Sequence, residues 1–257
     1  MVDEIMVNYG PASKYYDLFG SKNDIAFYRE LAIQHGRKAL ELGVGTGRVA
    51  IELARANVIV WGIDNSKYML HIARQKLKAE NLNVRRRVKL IRADMRGFRL
   101  KETFPLVYIA SSTFEHCVTE ENQIKCLTSA YNTLENGGIL AFDVSQTERR
   151  ATSSWWIDRK DLGKEEEVVR TIFSRTNPQT NVVSVNLFFD VYRKGLLKER
   201  FYEYGEAKLS SRDNVERLLK DVGFTVQKVY GNFDKTPYSK QSQRIIFVCG
   251  KLSIHSL

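Results

Sequence analysis

The chain has 257 residues, 43% of them apolar, 27% charged and only 4 proline, which excludes a disordered or fibrous protein and leaves room for a sizeable core. Lys and Arg number 40 against 30 for Asp and Glu, a net charge of +10 that invites an anionic partner without identifying one. Cys117, Cys126 and Cys249 stand far apart and outside any C-x-x-C pattern, so neither a disulfide framework nor a zinc site is expected; a reduced, cytoplasmic protein without a membrane span is the simplest expectation.

From Asn23 to Thr147 the chain alternates helical periodicity with short β-branched runs, the pattern of a parallel sheet covered by helices. Ile25, Tyr28, Leu31 and Ala32 form an apolar stripe behind a cap at Asn23. Lys38 to Leu42 reads as a strand and Arg48 to Ala56 as a helix; Val58 to Ile63 is the next strand. Ser66 caps a helix whose inner face carries Met69, Ile72, Ala73 and Leu77, and strands follow at Val88 to Ala93 and Leu106 to Ala110. Thr119 opens a helix closed by Asn136-Gly137-Gly138, ahead of a fifth strand at Ile139 to Val144.

Beyond Gln146 the rhythm changes to three long strands, Glu167 to Arg175, Thr180 to Arg193 and Leu196 to Lys208, joined by short turns. They read as an inserted antiparallel lid over residues 148–208, interrupting a domain built from 1–147 and 209–257. Ser211 caps a helix ended by Gly223, and strands at Thr225 to Tyr230 and Arg244 to Gly250 rejoin the main sheet.

The chemistry concentrates in Glu41-Leu42-Gly43-Val44-Gly45-Thr46-Gly47-Arg48, a strand running through a glycine loop into a helix. Glycines there let the backbone turn sharply and approach a ligand beside a helix N-terminus. Gly45-x-Gly47-x-x-Ala50, with Asp64 after the next strand, also fits a dinucleotide fingerprint. Three acids weigh against a pyrophosphate. Glu41 suits the ammonium of a bound amino acid, Asp64 both hydroxyls of a ribose, and Asp94 an adenine amino group. Three successive strand ends thus fit one amino acid, one ribose and one adenine, the parts of S-adenosylmethionine.

These segments resemble the motifs of class I S-adenosylmethionine-dependent methyltransferases over nearly the whole chain. Glu41 to Gly47 is similar to the first motif, Asp64 to the second, Asp94-Met95 to the third and Leu134-Glu135-Asn136-Gly137-Gly138 to the turn before the fifth strand. Tyr16-Asp17, Asp24 to Tyr28 and Thr113-Phe114-Glu115-His116 are similar to the small-molecule branch, which includes glycine N-methyltransferases and sugar-amine N,N-dimethyltransferases. Pro105 and Asn136 depart from the usual Asp and Pro at their positions.

The resemblance implies a Rossmann-like sheet of seven strands, mostly parallel with the last antiparallel. It implies S-adenosylmethionine held by Tyr16, Glu41, Gly43, Gly45, Asp64, Asn65, Met69, Asp94, Met95 and Ser111, with S-adenosylhomocysteine as product. His116, past the fourth strand, is the candidate group beside the reacting centre, since imidazole accepts a proton near neutrality; packing under the following helix is its other reading. Ser112, Trp155, Trp156, Asp234 and Tyr238 are substrate-side candidates. His35, His71 and His255 make no ligand cluster, so no metal is expected. Arg85-Arg86-Arg87 precedes its strand at the sheet edge away from the site, so a solvated loop is favoured over an RNA contact. The expected activity is methyl transfer to a nitrogen or oxygen of a small molecule. An RNA or protein methyltransferase, a nicotinamide-dependent oxidoreductase and a non-catalytic binding protein remain the alternatives.

Overall fold

The computed structural model describes residues 9–146 and 153–251. Chain order gives β1 (Lys38–Leu42), β2 (Ile59–Asp64), β3 (Val88–Arg92), β4 (Phe104–Ile109), β5 (Leu134–Ser145), β6 (Ser153–Gly163), β7 (Glu166–Asn177), β8 (Val182–Arg193), β9 (Leu196–Lys208), β10 (Phe224–Tyr230) and β11 (Arg244–Lys251). The α-helices are α1 (Ile25–Gln34), α2 (Arg48–Arg55), α3 (Lys67–Ala79), α4 (Leu82–Arg87), α5 (Glu120–Thr133) and α6 (Arg212–Val222). Two 3₁₀ segments, Pro11–Leu18 and Thr113–His116, complete the described elements.

Seven strands form one sheet in the order β10-β11-β5-β4-β1-β2-β3. β1 pairs in parallel with β2 and β4, β2 with β3, and β4 with β5, while β11 runs antiparallel between β5 and β10. This is the mostly parallel seven-stranded α/β sheet with an antiparallel last strand expected from the sequence. Its two faces carry separate cores. Leu40, Leu42, Phe142 and Phe247 pack with α5 and α6, whereas Ala39, Val60 and Tyr108 pack with α1 and α2. Strands covered on both faces must be apolar throughout, which is why they stand out as β-branched runs.

Several local expectations change. The residue capping α1 is Asp24 rather than Asn23, and its carboxylate makes no cap bond because it pairs with Arg48. Arg85 to Arg87 lie in α4, where Asn81 accepts the Val84 amide, rather than in a loop; α4 leads into the start of β3, so these arginines stay at the amino edge. Helix α5 ends at Thr133; Leu134 already pairs with Phe104 of β4, and an irregularity containing Gly137 at φ 76° precedes the regular pairing from Ile139. Ser66, Thr119 and Ser211 do cap their helices.

The second sheet has four antiparallel strands, β6-β7-β8-β9, one more than the expected three. The added strand is β6, with Trp155 opposite Phe173 and Trp156 opposite Ile172. Ala12 and Tyr15 of the first 3₁₀ segment, with Phe19 just beyond it, pack against Val168, Phe189 and Val191 of this sheet. The expected boundary between 147 and 148 lies outside the described residues.

Candidate functional site

The carboxyl ends of β1, β2 and β3 open onto one cleft. Its floor is the loop after β1. Gly43, Gly45 and Gly47 have φ of 75°, 54° and 75°, a left-handed region that other residues enter at a cost. A Cβ on Gly43 would lie 2.3 Å from Cγ2 of Thr113, so the close approach also demands glycine.

Asp64, the last residue of β2, lines the cleft. Its carboxylate accepts the amide hydrogens of Gly45 and Ser66, each across 2.8 Å. Burial raises its pKa, and those backbone hydrogen bonds oppose the rise. Asn65 and Met69 line the same wall; Met69 is almost wholly buried at the start of α3. Asp94 and Met95 follow β3 on the neighbouring wall. Burial works against the Asp94 charge, but Arg96 outweighs it with guanidinium contacts of 2.8 and 3.1 Å and holds the carboxyl below its usual range.

Glu41 lies in a smaller recess joined to the cleft through Tyr16, Gly43, Gly45 and Ser111. It is buried on the α1/α2 face of the sheet, where the Tyr108 hydroxyl donates to it across 2.9 Å. Burial pushes its carboxyl up to about 8, with that hydrogen bond and the nearby Arg48 acting in the opposite direction. Arg48 binds Asp24 through both terminal nitrogens at 2.5 Å and donates to the Ser111 hydroxyl across 2.8 Å.

His116 lines the cleft opposite the glycine loop, and its Nδ1 is 3.2 Å from the Glu206 carbonyl of β9. A carbonyl only accepts, so Nδ1 carries the hydrogen and Nε2 keeps its lone pair. Burial lowers the His116 pKa, with the hydrogen bond to Glu206 pulling the other way, and the ring is neutral at physiological pH.

A strap from the N-terminal side covers the cleft. Tyr16 and Tyr9 both line it, their rings edge to face at 5.2 Å. The Tyr9 carbonyl accepts from the Ser66 hydroxyl at 2.8 Å, and Asp17 accepts from Lys76 and Thr46 at 2.8 and 2.7 Å. From the other side, Glu203 of β9 accepts the amides of Gly10 and Ala12 at 3.0 and 3.3 Å.

Of the expected cofactor residues, all but Glu41 line the main cleft, and Glu41 lines its recess. The five substrate-side candidates lie elsewhere. Ser112 turns to Asp143, and Trp155 and Trp156 are 70% and 43% exposed on the second sheet. The Asp234 carboxylate accepts from Thr236 and Asn232 within its own turn, and the Tyr238 hydroxyl accepts from Gln146 across 2.9 Å. Tyr9, Arg96 and Thr113 line the cleft without having been named as ligand residues. Thr113 carried a legible signal, because it directly follows two serines at the carboxyl edge of β4. Among the described residues no three His, Cys, Asp or Glu gather as metal ligands, and no helix is long and apolar enough to cross a membrane.

Residues 39–138 match a family model described as a methyltransferase domain. YqeM of Bacillus subtilis (strain 168), whose methyltransferase assignment is provisional, is 28% identical over 86% of this chain and 87% of its own. The glycine/sarcosine N-methyltransferase of Aphanothece halophytica is 26% identical over 90% of this chain and 83% of its own. Among solved structures, the CcbJ methyltransferase of Streptomyces caelestis superposes with a TM-score of 0.84 at 21% identity, covering 98% of this chain and all of that one.

Proposed function

We propose that the chain is a class I S-adenosylmethionine-dependent methyltransferase that methylates a nitrogen or oxygen of a small molecule. The observation that carries the cofactor half is Asp64. The backbone amides of Gly45, Ser66 and Asn65 orient its carboxylate on the cleft wall, where a remaining lone pair can accept from a ribose hydroxyl. A dinucleotide fits worse. The Gly45 amide, which would serve a pyrophosphate, is already donated to Asp64, and Asp64 and Asp94 line the cleft with carboxylates.

On this reading Asp94 and Met95 hold the adenine, Met69 and Asn65 flank it and the ribose, and Gly43 and Gly45 let the backbone lie against the cofactor. Glu41 faces the amino-acid ammonium, whose charge would favour the ionised carboxylate there, with Ser111 and Tyr16 at the same end. When bound, the cofactor supplies an electrophilic methyl carbon on a sulfonium. The protein's task is then to align the acceptor lone pair, exclude water and receive a proton. Alignment alone contributes about 7–11 kcal/mol of barrier lowering in favourable cases. His116 receives the acceptor proton on Nε2, or hydrogen-bonds the acceptor there, while the Glu206 carbonyl fixes the ring. The four-stranded sheet serves as the lid, since β9 supplies both Glu206 to His116 and Glu203 to the strap. A small acceptor agrees with the glycine/sarcosine methylation named for the Aphanothece halophytica relative. Three buried, unbridged thiols suit a reducing, cytoplasmic setting.

Thermal shifts test the cofactor: a ligand at about 100 times its Kd stabilises by about 2.7 kcal/mol. S-adenosylmethionine and S-adenosylhomocysteine are expected to shift the protein and NAD(H) is not; the reverse pattern refutes the reading. Tritiated methyl transfer into a cell extract, separated into small-molecule, protein and nucleic-acid fractions, tests the acceptor. Label confined to RNA would remove the small-molecule proposal.

A further inference from the structure

The turn after β4 is held in a costly shape. Ser111 and Ser112 both adopt left-handed backbone, φ 59° and 55°, a region that L-residues other than glycine seldom occupy twice in succession. Ser111 lines both the cleft and the Glu41 recess, and Thr113 reaches the face of Gly43. The shape of this turn therefore sets one wall of the cleft.

Each serine has its own holder. Arg48, fixed by Asp24, donates to the Ser111 hydroxyl. Asp143 of β5 takes Ser112 twice, accepting its amide hydrogen at 3.1 Å and its hydroxyl hydrogen at 2.9 Å on Oδ2. The same oxygen accepts from Arg244 of β11 at 2.7 Å, and Oδ1 accepts from the Tyr28 hydroxyl at 3.2 Å. Asp143 is fully buried, so these donors replace the water that its charge would otherwise require.

We propose that Asp143 is a positioning residue for the cofactor cleft: by gripping Ser112 it stabilises the left-handed Ser111-Ser112 turn against which the cofactor's amino-acid end lies. Asp143 does not line the cleft, so its effect on binding runs through the turn. The inference rests on the cofactor reading above, but the grip on Ser112 is measurable without cofactor.

Amide exchange on the protein alone tests the grip. Asp143→Ala is expected to speed exchange at Ser112 at least tenfold while β1 stays protected, and unchanged exchange overturns the proposal. Calorimetry then measures S-adenosylmethionine. Asp143→Ala is expected to bind about tenfold more weakly, and Asp143→Asn, which keeps an acceptor for Ser112, within about threefold of the wild type. The deciding variant is Asp143→Ala with Ser112→Gly: glycine adopts the turn unaided, so affinity should return to within about threefold. Failure of that rescue in a folded double variant overturns the proposal, because a merely structural role gives glycine nothing to restore. Should Asp143→Ala not fold, Ser112→Val and Ser112→Gly ask the same question on a half-buried residue. Weakening by valine alone supports the proposal, and equal affinities overturn it. If the wild type shows a protected Ser112 but binds no S-adenosylmethionine, the cofactor reading and the positioning proposal both fail.

Discussion

The Gly45 amide donates to Asp64 Oδ2 across 2.8 Å, tying the loop after β1 to the tip of β2. Asp64→Ala removes this tie and the proposed ribose acceptor together. Charge-assisted hydrogen bonds contribute about 1.5–3 kcal/mol each, so S-adenosylmethionine should bind about 10- to 100-fold more weakly, measured by calorimetry. Unchanged affinity would end the ribose assignment.

Gly43 is constrained twice, by its φ of 75° and by Thr113 at 2.3 Å from a Cβ. Gly43→Ala should lower stability by about 1–3 kcal/mol in urea unfolding. Gly43→Ala with Thr113→Ser removes the clashing methyl and should recover part of that loss; no recovery would show that backbone strain dominates.

Glu41 makes stability depend on pH in an unusual direction. Its folded pKa, about 8, is above the ordinary carboxyl value of 4.5, so the folded state binds its proton more tightly than the unfolded chain. The contribution is full below about 4.5 and is lost as pH rises towards 8. Glu41→Gln escapes that loss, and its stability advantage over the wild type should grow by about 2 kcal/mol between pH 6 and pH 8. The same variant should bind S-adenosylmethionine more weakly, because it cannot ionise against the ammonium. A pH-independent stability difference would contradict the buried ionisation.

His116 is neutral over the working range because burial lowers its pKa. Transfer to the acceptor identified by labelling should rise with pH through a value below 6.5 and then level off. His116→Ala should reduce turnover about 100-fold while leaving cofactor affinity within about threefold, the pattern of a group acting on the acceptor. A parallel loss of cofactor affinity would make His116 part of the pocket wall only.

Much of this molecule is legible in its residues. The parallel strands declare themselves as apolar runs because helices cover both faces, and the acids at their ends stand out against that background. β6 was hidden because Asp158-Arg159-Lys160-Asp161 puts charge on both faces of an exposed strand, where a half-buried strand would alternate. Tyr9 was hidden for another reason. Its seat is fixed by a main-chain carbonyl on Ser66, 57 residues away, and main-chain contacts leave no mark on side-chain pattern. Asp143 sits in a strand whose neighbours are all core, and only the tertiary ring of donors marks it. The acceptor side was the least legible, since its candidates were chosen by nearness to strand ends and their side chains turn to partners outside the cleft.

Glu203 of β9 grips the strap through the amides of Gly10 and Ala12, and the strap carries Tyr9 and Tyr16 over the cleft. A movement that lifted β9 would therefore draw on the strap and on His116 together, because the same strand holds both.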